Sequence, residues 1–228
     1  KDDSSFLVQK SGKGKQSLIF IPGFASSGDV WNETKIPFES NYTCYVLTMP
    51  GFAGAPPQVD PSFEKWERAI AEFIRSNNIV KPVIIGHSMG GGLALALAAD
   101  YPELIGEIIV VDALPCLQAL SNPTFKSIAN NDCSQSIKQM TEMTEQQFYQ
   151  MQKMSIPRLL TDTSKQEEVI HWSVMSDRTT FASVYCDFWN VDLREKIKTI
   201  NCPNLILLES YFVNIKSSVE EQYKGLSN

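Results

Sequence analysis

The 228-residue chain has only two histidines, His87 and His171. Histidine is the usual proton acceptor near neutral pH, so candidates for a general base are few. Basic residues are few and scattered. There are 20 Lys and Arg against 26 Asp and Glu, a net charge of −6. Lys10, Lys13 and Lys15 fall in a glycine turn. No nucleic-acid partner is expected, because phosphate binding needs a concentrated positive face. No apolar run approaches the ~20 residues that a membrane span requires. The five cysteines (Cys44, Cys116, Cys133, Cys186 and Cys202) lack Cys-x-x-Cys spacing and are odd in number. They read as neither a metal site nor a dense disulfide framework. Most are expected to be packed thiols, with one pair open to bridging in an exported protein. There is no phosphate-cradling Gly-x-x-x-x-Gly-Lys. No metal ion and no organic cofactor are expected.

The chain opens Lys1-Asp2-Asp3-Ser4-Ser5, without a methionine. That start fits an exported or periplasmic mature form, which we favour over a cytoplasmic one, or a chain cut from a longer one. The 43% apolar and 20% charged residues are those of an ordinary globular protein. The length suits one sizeable domain, or a core with an inserted subdomain.

Strand signals fall at Phe6 to Gln9, Ser17 to Ile21, Cys44 to Met49, Val83 to Gly86, Ile108 to Val111 and Pro203 to Leu208. Ser62 is placed to cap a helix reaching Ser76, with Phe63, Trp66, Ile70, Phe73 and Ile74 at helical spacing. A closing helix is expected from Val219 to Leu226. This alternation predicts an α/β fold, a mostly parallel sheet with helices on both faces. Between Pro115 and Trp189 the alternation stops. That stretch reads as helical throughout, with capping boxes at Thr144-x-x-Gln147 and Ser164-x-x-Glu167, and it is rich in Met and aromatic residues. A helical insert between two strands of a parallel sheet is expected to form a cap over the C-terminal strand edge. The resulting division is a core over 1–114, a cap over 115–189 and the rest of the core over 190–228.

The segment Val83-Ile84-Ile85-Gly86-His87-Ser88-Met89-Gly90-Gly91-Gly92 is the most informative. A β-branched run, Gly-x-Ser-x-Gly and an Ala/Leu-rich helix together make a nucleophile elbow. Gly86 and Gly90 remove side chains that would collide with strand or helix, so the Ser88 hydroxyl stands clear above the sheet. A serine that merely caps the helix is the alternative.

These residues resemble the α/β-hydrolase superfamily. Ile21-Pro22-Gly23-Phe24 resembles the loop after its third strand, and Met49-Pro50-Gly51-Phe52-Ala53-Gly54 the turn after its fourth. Gly86-His87-Ser88-Met89-Gly90-Gly91 resembles its elbow. Val110-Val111-Asp112-Ala113-Leu114-Pro115 looks like its sixth strand leading into a cap, and Cys202-Pro203-Asn204-Leu205-Ile206-Leu207-Leu208 like its seventh.

The resemblance implies a serine nucleophile at Ser88, with an oxyanion hole from the backbone N–H groups of Phe24 and Met89. Two departures stand out. No Asp follows Leu208, so the triad acid is expected at Asp112, as in members that place it after the sixth strand, with Glu209 the alternative. The superfamily's histidine follows an eighth strand, whereas this sequence reaches Asn228 where that strand should begin. A continuation of roughly 40 residues carrying strand, histidine and helix is therefore expected. His87 is expected to point away from the Ser88 hydroxyl and pack, and His171 to be an ordinary cap residue. The implied activity is cleavage of a small or medium, mainly apolar carboxylic ester through an acyl-enzyme. An amidase or peptidase, a lactonase, a C–C bond hydrolase and a non-catalytic binding module remain alternatives. The oligomeric state is open.

Overall fold

The computed structural model describes residues 6–227. The opening Lys1–Ser5 therefore lies outside the described residues. Six strands form one sheet: β1 (Leu7–Gly12), β2 (Gln16–Ile21), β3 (Tyr42–Thr48), β4 (Val83–His87), β5 (Glu107–Val111) and β6 (Asn204–Leu207), in the order β1-β3-β2-β4-β5-β6. Only the β1–β3 pair is antiparallel. β1 and β2, adjacent in sequence, therefore lie on opposite sides of β3.

Central strands buried on both faces lose the apolar–polar alternation of a half-exposed strand. β2 shows this: Ile19 and Ile21 belong to one core and Leu18 and Phe20 to the other. The larger core holds Leu47, Ile84, Ile108 and Val110 beneath α2 (Phe63–Ser76) and α3 (Met89–Asp100). The smaller one is closed by Trp31, which precedes the short helix α1 (Asn32–Lys35). Every residue from Met89 to Ala98 is buried. A helix apolar on all sides has no solvent face to offer, and α3 is held between the sheet, α2 and the aromatic rings of Phe63 and Phe188 that face Gly92.

α2 starts as its sequence predicts, the Ser62 hydroxyl accepting the Lys65 N–H at 3.2 Å. A second acceptor comes from far along the chain, for the Phe63 N–H donates to Asp187 Oδ2 at 2.7 Å.

Four helices separate β5 from β6: α4 (Ser134–Thr141), α5 (Glu145–Ser155), α6 (Gln166–Val174) and α7 (Arg178–Trp189). The stretch is not helical throughout. Residues 121–133 and 159–165 are turns and irregular chain. The Thr144/Gln147 capping box forms in full. The one expected at Ser164 does not: the Ser164 hydroxyl donates to Asp162 at 2.6 Å, and α6 begins only at Gln166 with no side-chain cap. Cys133 and Cys186 are joined in a disulfide that ties the start of α4 to α7. Cys44, Cys116 and Cys202 are buried free thiols. The closing helix α8 spans Lys216–Gln222, earlier than the expected Val219 to Leu226. β6 is an edge strand on which Leu205 and Leu207 are about half exposed.

Candidate active site

Ser88 joins β4 to α3 with φ 52° and ψ −119°, a conformation that L-residues rarely adopt. The turn is held from both sides. The Ser88 N–H donates to the Val111 carbonyl at 2.8 Å, and its own carbonyl accepts the Gly92 N–H at 3.0 Å. The glycines make the crossing possible. A Cβ on Gly86 would lie 2.0 Å from the Gly90 carbonyl oxygen, and one on Gly90 would lie 2.3 Å from the Ile21 oxygen. Such strain is stored where the surrounding structure over-determines it, commonly at functional sites.

The two candidate oxyanion donors flank this turn. Met89 opens α3, so its N–H has no intrahelical acceptor. The Phe24 N–H likewise donates to no acceptor among the described residues. Phe24 follows Gly23, on which a Cβ would come within 3.4 Å of Ser88 Cβ. The next residue, Ala25, has φ 53°, which turns the loop back at that point.

Asp112 stands at the end of β5, beside the elbow, again with positive φ (48°). Its N–H donates to Leu207, and its Oδ1 accepts the Glu209 N–H at 2.5 Å. The carboxylate thus bridges the ends of β5 and β6. Glu209 is differently employed: its exposed side chain caps the following 3₁₀ turn by accepting the Tyr211 N–H at 3.1 Å.

His87 packs its ring over Gly23, where a Cβ would meet Nδ1 at 2.9 Å. Burial lowers its pKa, and the nearby Asp112 charge acts in the opposite direction. His171 is exposed in the last turn of α6. Among the described residues, neither ring hydrogen-bonds the Ser88 hydroxyl.

Aromatic residues that the sequence marked only as a class converge on Phe24. Its ring meets Phe52, Phe181 and Tyr185 edge-on at centroid distances of 5.0, 4.6 and 5.4 Å. Phe181 and Tyr185 belong to α7, and Trp189 continues the row by stacking on Tyr185. The loop at 51–54 is fastened to the same helix. The Gly51 carbonyl accepts the Asp177 N–H at 2.7 Å, Thr180 fills the space beside Gly51, and Ser176 accepts the Ala53 N–H at 3.1 Å.

The fold that carries these residues is shared with known proteins. Residues 16–161 match the family model for the alpha/beta hydrolase fold. The chain belongs to the α/β-hydrolase family. It is 24% identical to a pimeloyl-[acyl-carrier protein] methyl ester esterase of Wigglesworthia glossinidia brevipalpis, over 98% of this chain and 85% of that protein. A protein of the same description from Aliivibrio fischeri is 22% identical over 88% of this chain and 76% of its own. Among solved structures, a hydrolase from Oleispira antarctica superposes with a TM-score of 0.76 at 15% identity, covering all of this chain and 85% of its own. An enol-lactonase from Burkholderia xenovorans gives 0.72 at 14% identity, covering 88% and 76%. An α/β-hydrolase family hosts many chemistries, so membership establishes the fold and leaves the reaction to the site.

Proposed function

We propose that this α/β-hydrolase is a serine hydrolase that cleaves a small or medium, mainly apolar carboxylic ester. The observation that carries the reading is Ser88 itself, in strained backbone at the start of α3, with the N–H groups of Phe24 and Met89 free of any other acceptor among the described residues. Ser88 Oγ attacks the ester carbonyl carbon as its proton passes to a base. The carbonyl oxygen takes the negative charge between the N–H groups of Phe24 and Met89. Collapse expels the alcohol, which takes up that proton, and water then hydrolyses the acyl-serine by the same steps. In this reading Asp112 holds and orients the protonated base, a role suited to a carboxylate at the strand edge next to the nucleophile. The esterase relatives support an ester substrate, and the aromatic surround of Phe24 supports an apolar acyl or alcohol portion. In this reading the helices of 115–189 act as a lid beside Ser88, with Phe181 and Tyr185 meeting the Phe24 ring. The Cys133–Cys186 bridge supports an oxidising, exported setting.

One observation favours a second reading. A serine hydroxyl is a weak nucleophile without a base, and neither His87 nor His171 contacts Ser88 Oγ among the described residues. The alternative is a binding module that holds an ester-like ligand without turnover. Incubation with a fluorophosphonate, peptide mapping and a p-nitrophenyl ester assay separate the two. Labelling at Ser88 with turnover abolished in Ser88→Ala supports the hydrolase. Ligand binding with neither labelling nor turnover supports the module. Labelling confined to another serine removes Ser88 as the nucleophile.

A further inference from the structure

Away from Ser88, α2 and the C-terminal ends of α3 and α7 line an open cavity of about 370 Å³. Its wall carries Glu64, Glu67, Asp100 and Asp187 against only Arg68 and Lys196. Both cations are already engaged, Arg68 with Glu64 at 3.6 Å and Lys196 with Asp100. Asp192 also lines the cavity and is matched by Arg194 at 2.7 Å. Glu67 and Asp187 are left without a cationic partner among the described residues. Glu67 is 4% exposed, and its Oε1 has no hydrogen-bond partner there. Asp187 uses Oδ2 to accept the Phe63 N–H.

A buried carboxyl oxygen with no hydrogen-bond partner is costly. The other contact of Glu67 is a hydrogen bond shared with a second carboxyl, Asp100, so that the one lysine nearby, Lys196, serves two acids. Burial and the Asp100 charge together push the pKa of Glu67 up to about 7. Among the described residues, no three acidic, histidine or cysteine side chains converge closely enough to hold one metal ion. The unpaired negative charge is therefore spread along a cavity, which suits an extended cation better than a point charge. Phe63, stacked on Phe188, and Tyr101, whose ring carries the Arg75 guanidinium, form the apolar side of the cavity.

We propose that this cavity binds a small organic cation bearing primary ammonium groups, with Glu67 and Asp187 as its counter-ions. The cation competes with the proton that Glu67 otherwise carries, so its affinity rises with pH. Glu64 and Arg68 of α2, Asp100 and Tyr101 at the end of α3, Asp187 of α7, and Asp192 and Lys196 beyond it are the charged or titratable groups facing this site. Of the carboxylates lining the cavity, Glu67 included, only Glu67 and Asp187 lack an ion-pair partner among the described residues.

The test is calorimetric titration of the 228-residue protein with putrescine at low ionic strength, at pH 8 and pH 6. One saturable site is expected, at least tenfold weaker at pH 6. Glu67→Gln should lose at least tenfold at pH 8, and the exposed Glu64→Gln less than threefold. Asp187→Asn keeps an oxygen for the Phe63 N–H and should also lose tenfold, so it carries the test if Glu67→Gln fails to fold. Ser88→Ala should bind normally, which separates this site from the proposed catalysis. Absence of saturable heat at pH 8 overturns the proposal. Unchanged affinity in both folded variants, or Mg²⁺ displacing putrescine at equal ionic strength, does the same.

Discussion

Replacing Gly86 by alanine tests the elbow most directly. The new Cβ would sit 2.0 Å from the Gly90 carbonyl oxygen and 2.4 Å from its carbon, where ordinary contact begins at 3.4 Å, so strand and helix would have to part by roughly 1.4 Å. No rotamer change relieves this, because the atoms struck are backbone. α3 cannot retreat either, being buried from Met89 to Ala98. Overpacking of this kind costs about 1–3 kcal/mol or more. A displacement near 1 Å at a catalytic centre costs about 10²-fold in rate. Gly54→Ala is the control. Its φ is also positive (83°), yet the added Cβ would meet only Met175 Cε at 3.6 Å, so the loss should stay near the ~1 kcal/mol of a left-handed L-residue. Urea denaturation gives the stabilities, and the rate of fluorophosphonate labelling at Ser88 reports the elbow without requiring turnover. Gly86→Ala should lose at least ~2 kcal/mol and about 10²-fold in labelling rate. A Gly86→Ala protein as stable and as quickly labelled as Gly54→Ala would show that the elbow is not held as described.

Asp112→Asn should depress ester turnover far more than Glu209→Gln, by up to about 10⁴-fold if Asp112 orients the base as in a serine-protease triad; the reverse ranking would reassign the acid. Glu67 should make stability fall as pH rises from about 4.5 to about 7, because a folded-state pKa raised from 4.5 means the native protein holds a proton that the unfolded chain releases. Glu67→Gln should flatten that decline, by on the order of 3 kcal/mol; denaturation curves at a series of pH values check it, and an unchanged slope would refute it. Opening the Cys133–Cys186 bridge, which spans 53 residues, should cost about 2–4 kcal/mol, measured as the difference in urea midpoint between oxidised and dithiothreitol-treated protein; equal midpoints would count against the bridge.

What the sequence made legible is what local chemistry dictates. The elbow could be read because Gly86, Ser88 and Gly90 fall between a β-branched run and an alanine-rich helix, and each glycine answers a clash a few residues away. The Ser62 cap and the Thr144/Gln147 box are local in the same sense. Ser164 misled because Asp162, two residues back, takes its hydroxyl first. The turns at 121–133 were hidden by treating a break in strand alternation as continuous helix. Glu67 had a signal that was passed over: Phe63, Glu67, Ile70 and Ile74 follow i, i+4, i+7, i+11 spacing, which puts a carboxyl on the apolar stripe of α2. The contacts between Asp187 and Phe63, between Gly51 and α7, and between Cys133 and Cys186 join residues far apart in sequence, and no periodicity announces them.

The fastening of the 51–54 loop to α7 also governs how this protein can diverge. The surroundings of Ser88 accept almost no substitution: the glycines are hemmed in by backbone, and α3 has no free face. On the proposed function, variation in substrate preference is thereby channelled into α7, where Tyr185 and Trp189 are exposed and can change size without moving Ser88. Yet Asp177, which caps α7, and Thr180 in its first turn are what the loop rests on. A duplicated copy drifting toward a new substrate would change at 185 and 189 while 51, 177 and 180 stay fixed, so the second set should mark descent and the first set trade.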